Sequence, residues 1–390
     1  MTIWLIERKR HREELEGLLE RHPVVGILGA RQTGKTTLAR QLAARYDGPI
    51  SFFDLEDPTD QARLAEPMLA LRDLRGLIVI DEVQRRPELF PVLRVLADRL
   101  ERTARFLVLG SASPELLQQT SESLAGRIFY HELGGFDLDE VGVGSYQQLW
   151  LRGGFPRSFL AETDGASAEW RRGFVRTFLE RDLPGLGIQV PPETIRRFWT
   201  MIAHYHGQIW NGSELARAFG VSGMTVRRYL DMLTSALVLR QLPPWFENLG
   251  KRQVKSPKVY VADSGLLHTL LGLGSREDVE GHPKVGASWE GFVLREVIER
   301  LGARPEEVFF WATHAGAELD LLIVRGRRRL GFELKRTAAP RMTPSIRTAR
   351  DDLQLESVDV VYPGEHTFPL AERVRALALT RLYEDLEPLG

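Results

Sequence analysis

Val24-Val25-Gly26-Ile27-Leu28-Gly29-Ala30-Arg31-Gln32-Thr33-Gly34-Lys35-Thr36 decides how the N-terminal part of the chain folds. Val24 to Leu28 is an apolar run and reads as a buried strand. Thr36 to Arg45 reads as a helix. Between them, Gly29 to Thr36 fits G-x4-G-K-[ST], and a strand before with a helix after is the context that motif requires. Glycines let backbone N–H groups wrap phosphate oxygens, and the helix N-terminus adds its positive end. The pattern assigns Gly29, Ala30, Arg31, Gln32, Thr33, Gly34, Lys35, Thr36 and Thr37 to phosphate binding. Lys35 is expected to reach the β- and γ-phosphates, and Thr36 to ligate Mg²⁺.

Working outward, four more strand segments follow: Ile50–Phe53, Leu77–Ile80, Phe106–Leu109 and Arg127–His131. Alternating with helical segments, they predict an α/β fold with a parallel sheet. Leu77–Ile80 ends in Asp81-Glu82. A carboxylate at that strand end can hold Mg²⁺ through water, and its neighbour can polarise an attacking water; Asp81 and Glu82 take those roles. Ser111 follows the next strand, where a small hydroxyl can sense the γ-phosphate or the lytic water.

The composition sets limits. The chain has 390 residues, 43% apolar and 27% charged, enough for two or three domains with sizeable cores. It has no cysteine, which removes disulfides, thiol nucleophiles, zinc fingers and iron–sulfur clusters. No apolar run reaches about 18 residues, and the N-terminus turns charged at once, without the apolar core of a signal peptide. A soluble cytoplasmic protein with no membrane partner is expected. Seven lysines beside 45 arginines, with two asparagines, fit either a heat-adapted source or a bias in base composition. Net charge is −1, yet Ile195 to Tyr260 holds ten basic and three acidic residues, a local +7.

The phosphate loop, Asp81-Glu82, Ser111 and Ser123-Leu124-Ala125-Gly126-Arg127, in this order, resemble the AAA+ ATPases. With Gly153-Gly154-Phe155-Pro156, Glu180-Arg181-Asp182, Pro257–Tyr260 and Asp263–Leu266, the chain is similar to a prokaryotic family of AAA+ ATP-binding proteins whose C-terminal domain has unknown function. The resemblance implies ATP and Mg²⁺ as cofactors and Arg127 as an arginine finger entering a neighbouring subunit's site. It also implies that Pro156 meets the adenine and that the copies assemble as a hexamer. Arg157 is a sensor candidate that the sequence does not separate from Arg171, Arg172 or Arg176.

The basic middle reads as helix, glycine turn, helix over Gly212 to Leu230, with Leu215, Ala216, Val221, Val226, Leu230 and Leu233 at core spacings and Ser222 as a cap. That is a helix-turn-helix pattern, extended to a winged helix if residues 236–260 form the wing. Thr225, Arg227, Arg228 and Tyr229 project from the second helix, and Lys251, Arg252, Lys255 and Lys258 lie on or near the wing. Such cations suit phosphate contacts on DNA. The bland alternatives are an ATPase lid, a protein contact or a solvated face.

Glu318–Val324 and Leu330–Lys335 read as two strands joined by a basic turn. Alternation puts Glu318 with Asp320 on one face, Glu333 with Lys335 on one face, and Leu319, Leu321, Phe332 and Leu334 on the other. Asp320 with Glu333-x-Lys335 is the spacing of the PD-(D/E)xK nuclease core, although Leu319 stands where that family has proline. Glu290, on a preceding helix, fills the family's helical acid position. The resemblance implies a restriction-endonuclease-like domain with Mg²⁺ or Mn²⁺ on Glu290, Asp320 and Glu333, and with Lys335 orienting water. A nuclease-like fold kept for DNA binding or assembly remains open beside it. His204 and His206 lack partners at ligand spacing and read as core or surface residues.

The expected layout is an N-terminal helix (1–22), an AAA+ core (23–160), a helical lid with a winged helix (161–256) and a nuclease-like domain (257–390). The expected activity is a ring-forming, Mg²⁺-dependent ATPase that remodels or translocates duplex or branched DNA such as Holliday junctions. A nucleotide-gated DNA endonuclease and a nucleotide-switched signalling or chaperone-like module acting on protein are the alternatives.

Overall fold

The computed structural model describes residues 6–99, 103–111, 123–185, 190–246 and 255–389. By internal packing the chain divides into two units, one built mainly from residues 1–135 and the other mainly from 136–390.

The first unit contains α1 (Lys9–Arg21), β1 (Val24–Gly29), α2 (Lys35–Ala43), β2 (Ile50–Asp54), β3 (Gly76–Asp81), α3 (Leu89–Ala97), β4 (Ala104–Ser111) and β5 (Ile128–Glu132). Its five strands are all parallel, in the order β2-β3-β4-β1-β5. The central strands are apolar throughout because both faces are covered. On one face Val24 and Leu28 join Ile78, Ile80, Phe106 and Val108 beneath Phe90 and Leu93 of α3. On the other, Val25 and Ile27 join Leu77, Val79, Leu107 and Leu109 beneath Leu15 and Leu19 of α1 and Leu38 and Leu42 of α2. β1 sits inside the sheet although it comes first, so the loop leaving its carboxyl end opens at a point where strand order reverses. Ligands of open α/β sheets bind at such points.

The second unit holds the helix-turn-helix. It comprises α4 (Pro192–His204), β6 (Gln208–Ile209), α5 (Gly212–Phe219), α6 (Gly223–Ser235), β7 (Leu239–Leu242) and β8 (Lys258–Val261). Asn211 caps α5 through the Glu214 N–H at 3.2 Å, and Ser222 caps α6 through the Thr225 N–H at 3.1 Å. Gly220 supplies the left-handed turn between them, at φ +73°. Leu215, Ala216, Val226, Leu230 and Leu233 are buried as expected, and Val221 is half-buried. Tyr229 does not project: its ring packs edge-on against Phe198 and Phe219. β6, β8 and β7 form an antiparallel three-stranded sheet in that order, so one sheet spans the boundary expected between residues 256 and 257.

After α7 (Ser264–Leu270) and the long α8 (Val285–Leu301) comes a mixed six-stranded sheet. β9 (Val308–Ala312), β10 (Glu318–Arg325) and β11 (Arg328–Leu334) form an antiparallel meander. Beyond α9 (Pro344–Leu353), β12 (Ser357–Tyr362) pairs parallel with β11, and β14 (Val374–Ala378) parallel with β12; β13 (Phe368–Ala371) closes the edge antiparallel. Strict alternation along β10 fails. Its register against β9 shifts between Leu319 and Leu322, so Leu322, rather than Leu321, joins Leu319 in the cluster around Trp311, Ile346 and Leu353. An extra residue in one strand bends it and re-aims the side chains beside it, here those flanking Asp320.

Two quoted motifs meet inside this unit. Asp263 caps α7 through the Leu266 N–H (2.9 Å) and also accepts from the Gly154 N–H (2.7 Å). A Cβ on Gly153 would lie 2.1 Å from that carboxylate, so only glycine fits there. Arg171 is buried against Ser158, Ser167 and Thr269, which makes it a packing residue and not a free sensor. His206 is likewise a core residue: its Nδ1 accepts from the Val261 N–H, and burial lowers its pKa to about 3.

Glu296 of α8 is fully buried and accepts from the Leu138 N–H at 2.8 Å. Burial, reinforced by Asp137, raises its pKa to about 8 against the pull of Arg295. In the unfolded chain it would release its proton near the ordinary glutamate value of about 4.3. The folded state therefore binds more protons across that interval, and stability falls as pH rises through it. Melting temperature measured between pH 5 and 8 is expected to decline in the parent and to decline less in Glu296→Gln. Parallel curves would refute this.

Candidate functional site

The loop after β1 is pre-shaped. A Cβ on Gly29 would meet the Leu133 carbonyl at 2.5 Å and Thr33 Oγ1 at 2.9 Å. Gly34 is left-handed at φ +96°, and Gln32 takes the same region at φ 66°. Lys35 is buried, its ammonium donating to the Gly29 and Ala30 carbonyls at 3.1 and 3.0 Å, within the curl that a phosphate would fill. Thr36 Oγ1 donates to Asp81 Oδ2 at 2.6 Å, so the two oxygens expected to hold Mg²⁺ are already together at the N-terminus of α2. Hydroxyl and carboxylate oxygens suit that hard cation. Burial raises the pKa of Asp81, with the nearby Glu82 adding to it, although the Thr36 hydrogen bond works the other way. A bound cation would favour the ionised form.

Glu82 sits in the left-handed region at φ 54°, an unusual conformation for a residue with a side chain. Gln84 holds its carboxylate through a hydrogen bond. Ser111 ends β4 directly beside Gly29, its register partner across the sheet. Its hydroxyl is buried and has no hydrogen-bond partner among the described residues. An orphaned buried hydroxyl beside a phosphate loop is a group awaiting a ligand or water.

Arg127 lies at the other end of the sheet. Ile128 pairs with Val24, at the amino end of β1, whereas the loop leaves the carboxyl end. The strand between them spans about 16 Å at roughly 3.3 Å per residue. Its guanidinium is held by both oxygens of Asp98, at 2.6 and 2.9 Å. Thr37 continues the first turn of α2, and Pro156 opens a short helix in the second unit. One contributor escaped sequence reasoning. Arg8, buried, donates to the Thr33 carbonyl at 3.1 Å and to the Gly134 and Gly135 carbonyls. It braces the loop from the segment before α1, and no motif marks it.

On the helix-turn-helix, Arg228 and Lys255 are exposed. Arg227 is exposed and paired with Asp231 at 3.0 Å; Thr225 is half-buried and bonded to Ser222. Lys251 and Arg252 lie outside the described residues. Lys258 is not on the surface. It is buried at the start of β8, and its charge is absorbed by acids of the six-stranded sheet and α8.

Glu290, Asp320, Glu333 and Lys335 do come together. Asp320 Oδ2 accepts from the Leu334 N–H at 2.9 Å, tying β10 to β11. Lys335 Nζ lies 2.9 Å from Glu333 and 3.6 Å from Asp320. Gly291 lets α8 approach closely next to Glu290: a Cβ there would lie 2.4 Å from His206 Nε2 and 3.3 Å from Tyr260 of β8. Three partners were not foreseen. Lys258 Nζ is 3.1 Å from Glu290 and 3.6 Å from Asp320, and also bonds Glu318; Tyr260 donates its hydroxyl to Glu290 at 2.7 Å. Burial, with the Asp320 charge, raises Glu290 and lifts Glu333 to about 7. Burial works against the Lys258 charge, but Tyr260 and the acids outweigh it and hold its pKa well above the ordinary lysine value. The acids offer oxygen donors for a divalent ion, but in this arrangement a lysine ammonium stands among them.

Gly29→Ala is expected to abolish binding of a fluorescent ATP analogue by direct titration, at a stability cost of about 1–3 kcal/mol from the forced backbone shift. Near-parental affinity in a folded Gly29→Ala protein would contradict the fit described for this loop.

Comparison with known proteins places these features. A family model described as an AAA domain matches residues 21–142. Two domains of unknown function, DUF8612 and DUF4143, match residues 143–277 and 285–382. Uncharacterised proteins of Mycobacterium tuberculosis and Mycobacterium bovis are each 54% identical over 377 residues, covering 97% of this chain and 85% of theirs. Among solved structures, a Walker-type ATPase of Pyrococcus abyssi aligns at 16% identity over 68% of this chain and 96% of its own, with a TM-score of 0.47. The RuvB Holliday junction branch migration motor of Thermotoga maritima aligns at 18% identity over 61% and 90%, with a TM-score of 0.30. Both structural likenesses are too loose to carry weight. The chain belongs to the family of the mycobacterial proteins, and it is an AAA-type ATP-binding protein.

Proposed function

We propose that the chain is a Mg²⁺-dependent AAA+ ATPase that assembles into a ring, a hexamer by resemblance, and remodels or translocates duplex or branched DNA such as Holliday junctions. The observation that carries the reading is the split between the two ends of the sheet. Lys35, Thr36, Asp81, Glu82 and the orphaned Ser111 hydroxyl gather at the carboxyl end, while Arg127 stands at the amino end, out of reach of its own phosphate loop. An arginine so placed is suited to serve a neighbouring copy, where such a residue is worth roughly 10³–10⁵ in rate. Lys35 binds the β- and γ-phosphates, Thr36 and Asp81 hold the metal, Glu82 orients the water, Ser111 senses the γ-phosphate, and Pro156 packs on the adenine. Before assembly, Asp98 holds Arg127.

DNA enters through the helix-turn-helix and three-stranded sheet, taken together as a winged helix. Thr225, Arg227, Arg228, Lys251, Arg252 and Lys255 contact phosphates there. Binding should fall steeply with salt, since each neutralised phosphate releases counterions. A chain without affinity for duplex or junction DNA at low salt would favour the signalling or chaperone-like reading.

A second reading, a nucleotide-gated endonuclease, draws on the convergence of Glu290, Asp320, Glu333 and Lys335. Nicking of DNA in Mn²⁺ that is lost in both Asp320→Ala and Lys335→Ala would support it; equal nicking by parent and variants would mark contamination.

Lys35→Ala and Arg127→Ala proteins should each be inactive as ATPases and should regain activity when mixed. Mixtures that stay inactive would overturn the shared site.

A further inference from the structure

The acidic cluster of the C-terminal domain is filled from within. Lys258 Nζ lies against Glu290 Oε1 at 3.1 Å, Asp320 Oδ1 at 3.6 Å and Glu318. Its side chain is 3% exposed. Lys335, 46% exposed, lies against Glu333 and Asp320 at the open side. The backbone fixes where the Lys258 side chain leaves the sheet, and the groups around it enclose the ammonium. Lys258 lies in β8, the middle strand of the three-stranded sheet, paired with Ile209 on one side and Leu242 on the other. Tyr260, two residues on and so on the same face of β8, donates to the Glu290 oxygen that Lys258 also contacts. The Phe310 ring lies 5.7 Å from the ammonium and closes another side.

We infer that Lys258 is the resident cation of this cluster, and that it keeps divalent metal out while β8 is docked. A divalent ion would need carboxylate oxygens at about 2.0–2.6 Å in the space between Glu290 and Asp320. Those oxygens already face an ammonium on a side chain only 3% exposed, enclosed by the Phe310 ring and beside the Tyr260 hydroxyl. A second cation beside it would also meet like-charge repulsion in a poorly solvated place. The cluster is therefore an internal clasp. It joins the sheet that follows the helix-turn-helix to α8, β10 and β11, and it becomes a metal site only when β8 withdraws. The inference rests on the convergence of these acids and stands or falls apart from the ATPase reading.

The test uses the full chain without nucleotide and counts bound Mn²⁺ by electron paramagnetic resonance, with melting temperature as a second readout. Parent and Asp320→Asn should bind equal amounts of Mn²⁺. Lys258→Met should bind one further ion per chain and gain melting temperature on adding Mn²⁺. Both gains should vanish in Lys258→Met/Asp320→Asn, and Lys258→Arg, which keeps a cation in place, should show neither. Parent protein that binds a Mn²⁺ ion lost in Asp320→Asn would overturn the inference, as would a folded Lys258→Met that gains none. Should Lys258→Met fail to fold, the comparison of parent with Asp320→Asn decides alone.

Discussion

The close approach of Gly29 to the Leu133 carbonyl is the constraint on which the nucleotide site depends. It presses the end of β1 against the chain leaving β5 and starts the loop on a path that only glycine can follow. From there the backbone curls through Gln32 and Gly34 into α2, and Lys35 closes the curl on the carbonyls of Gly29 and Ala30. The same strand order sets Ser111 beside Gly29 and leaves Arg127 at the far edge. One packing arrangement thus separates the phosphate loop from Arg127. Arg8, wired to the Thr33 carbonyl, makes the segment before the sheet part of that arrangement.

The two charged sites solve opposite problems. At the phosphate loop, the Gly29 and Ala30 carbonyls accept from the Lys35 ammonium, and the Thr36 hydroxyl donates to Asp81. Those groups are the ones a ligand carrying both phosphate and metal would engage. In the C-terminal cluster, Lys258 and Lys335 answer the acids directly, and Tyr260 donates to the Glu290 oxygen that Lys258 also contacts. Buried charges that satisfy one another are expensive to separate. The first site is open to an external ligand, and the second is a lock between elements.

Much of the fold could be read in the sequence where local pattern and tertiary environment agree. Continuous apolar strands covered on both faces, a glycine loop between strand and helix, and a capped helix pair with a left-handed glycine all carry their own signals. What stayed hidden depends on distant contacts. Lys258 sits in a basic run that looks solvated, yet it is buried, because acids up to 62 residues along the chain surround it. Tyr229 has the period of an exposed helix position but finds Phe198 and Phe219. The extra residue in β10 breaks an alternation that period alone would continue. Asp98 meets Arg127 only because the end of α3 and the start of β5 are neighbours in space.

The central claim, a catalytic site completed by a neighbouring copy and governed by DNA, is tested most directly by ATP turnover per chain as a function of protein concentration. The measurement is made with and without linear, forked and four-way DNA. The account predicts turnover that is slow at high dilution, climbs as chains associate, and climbs at lower concentration when DNA is present. Turnover that is fast and constant across dilution, and unchanged by any of these DNAs, would contradict it.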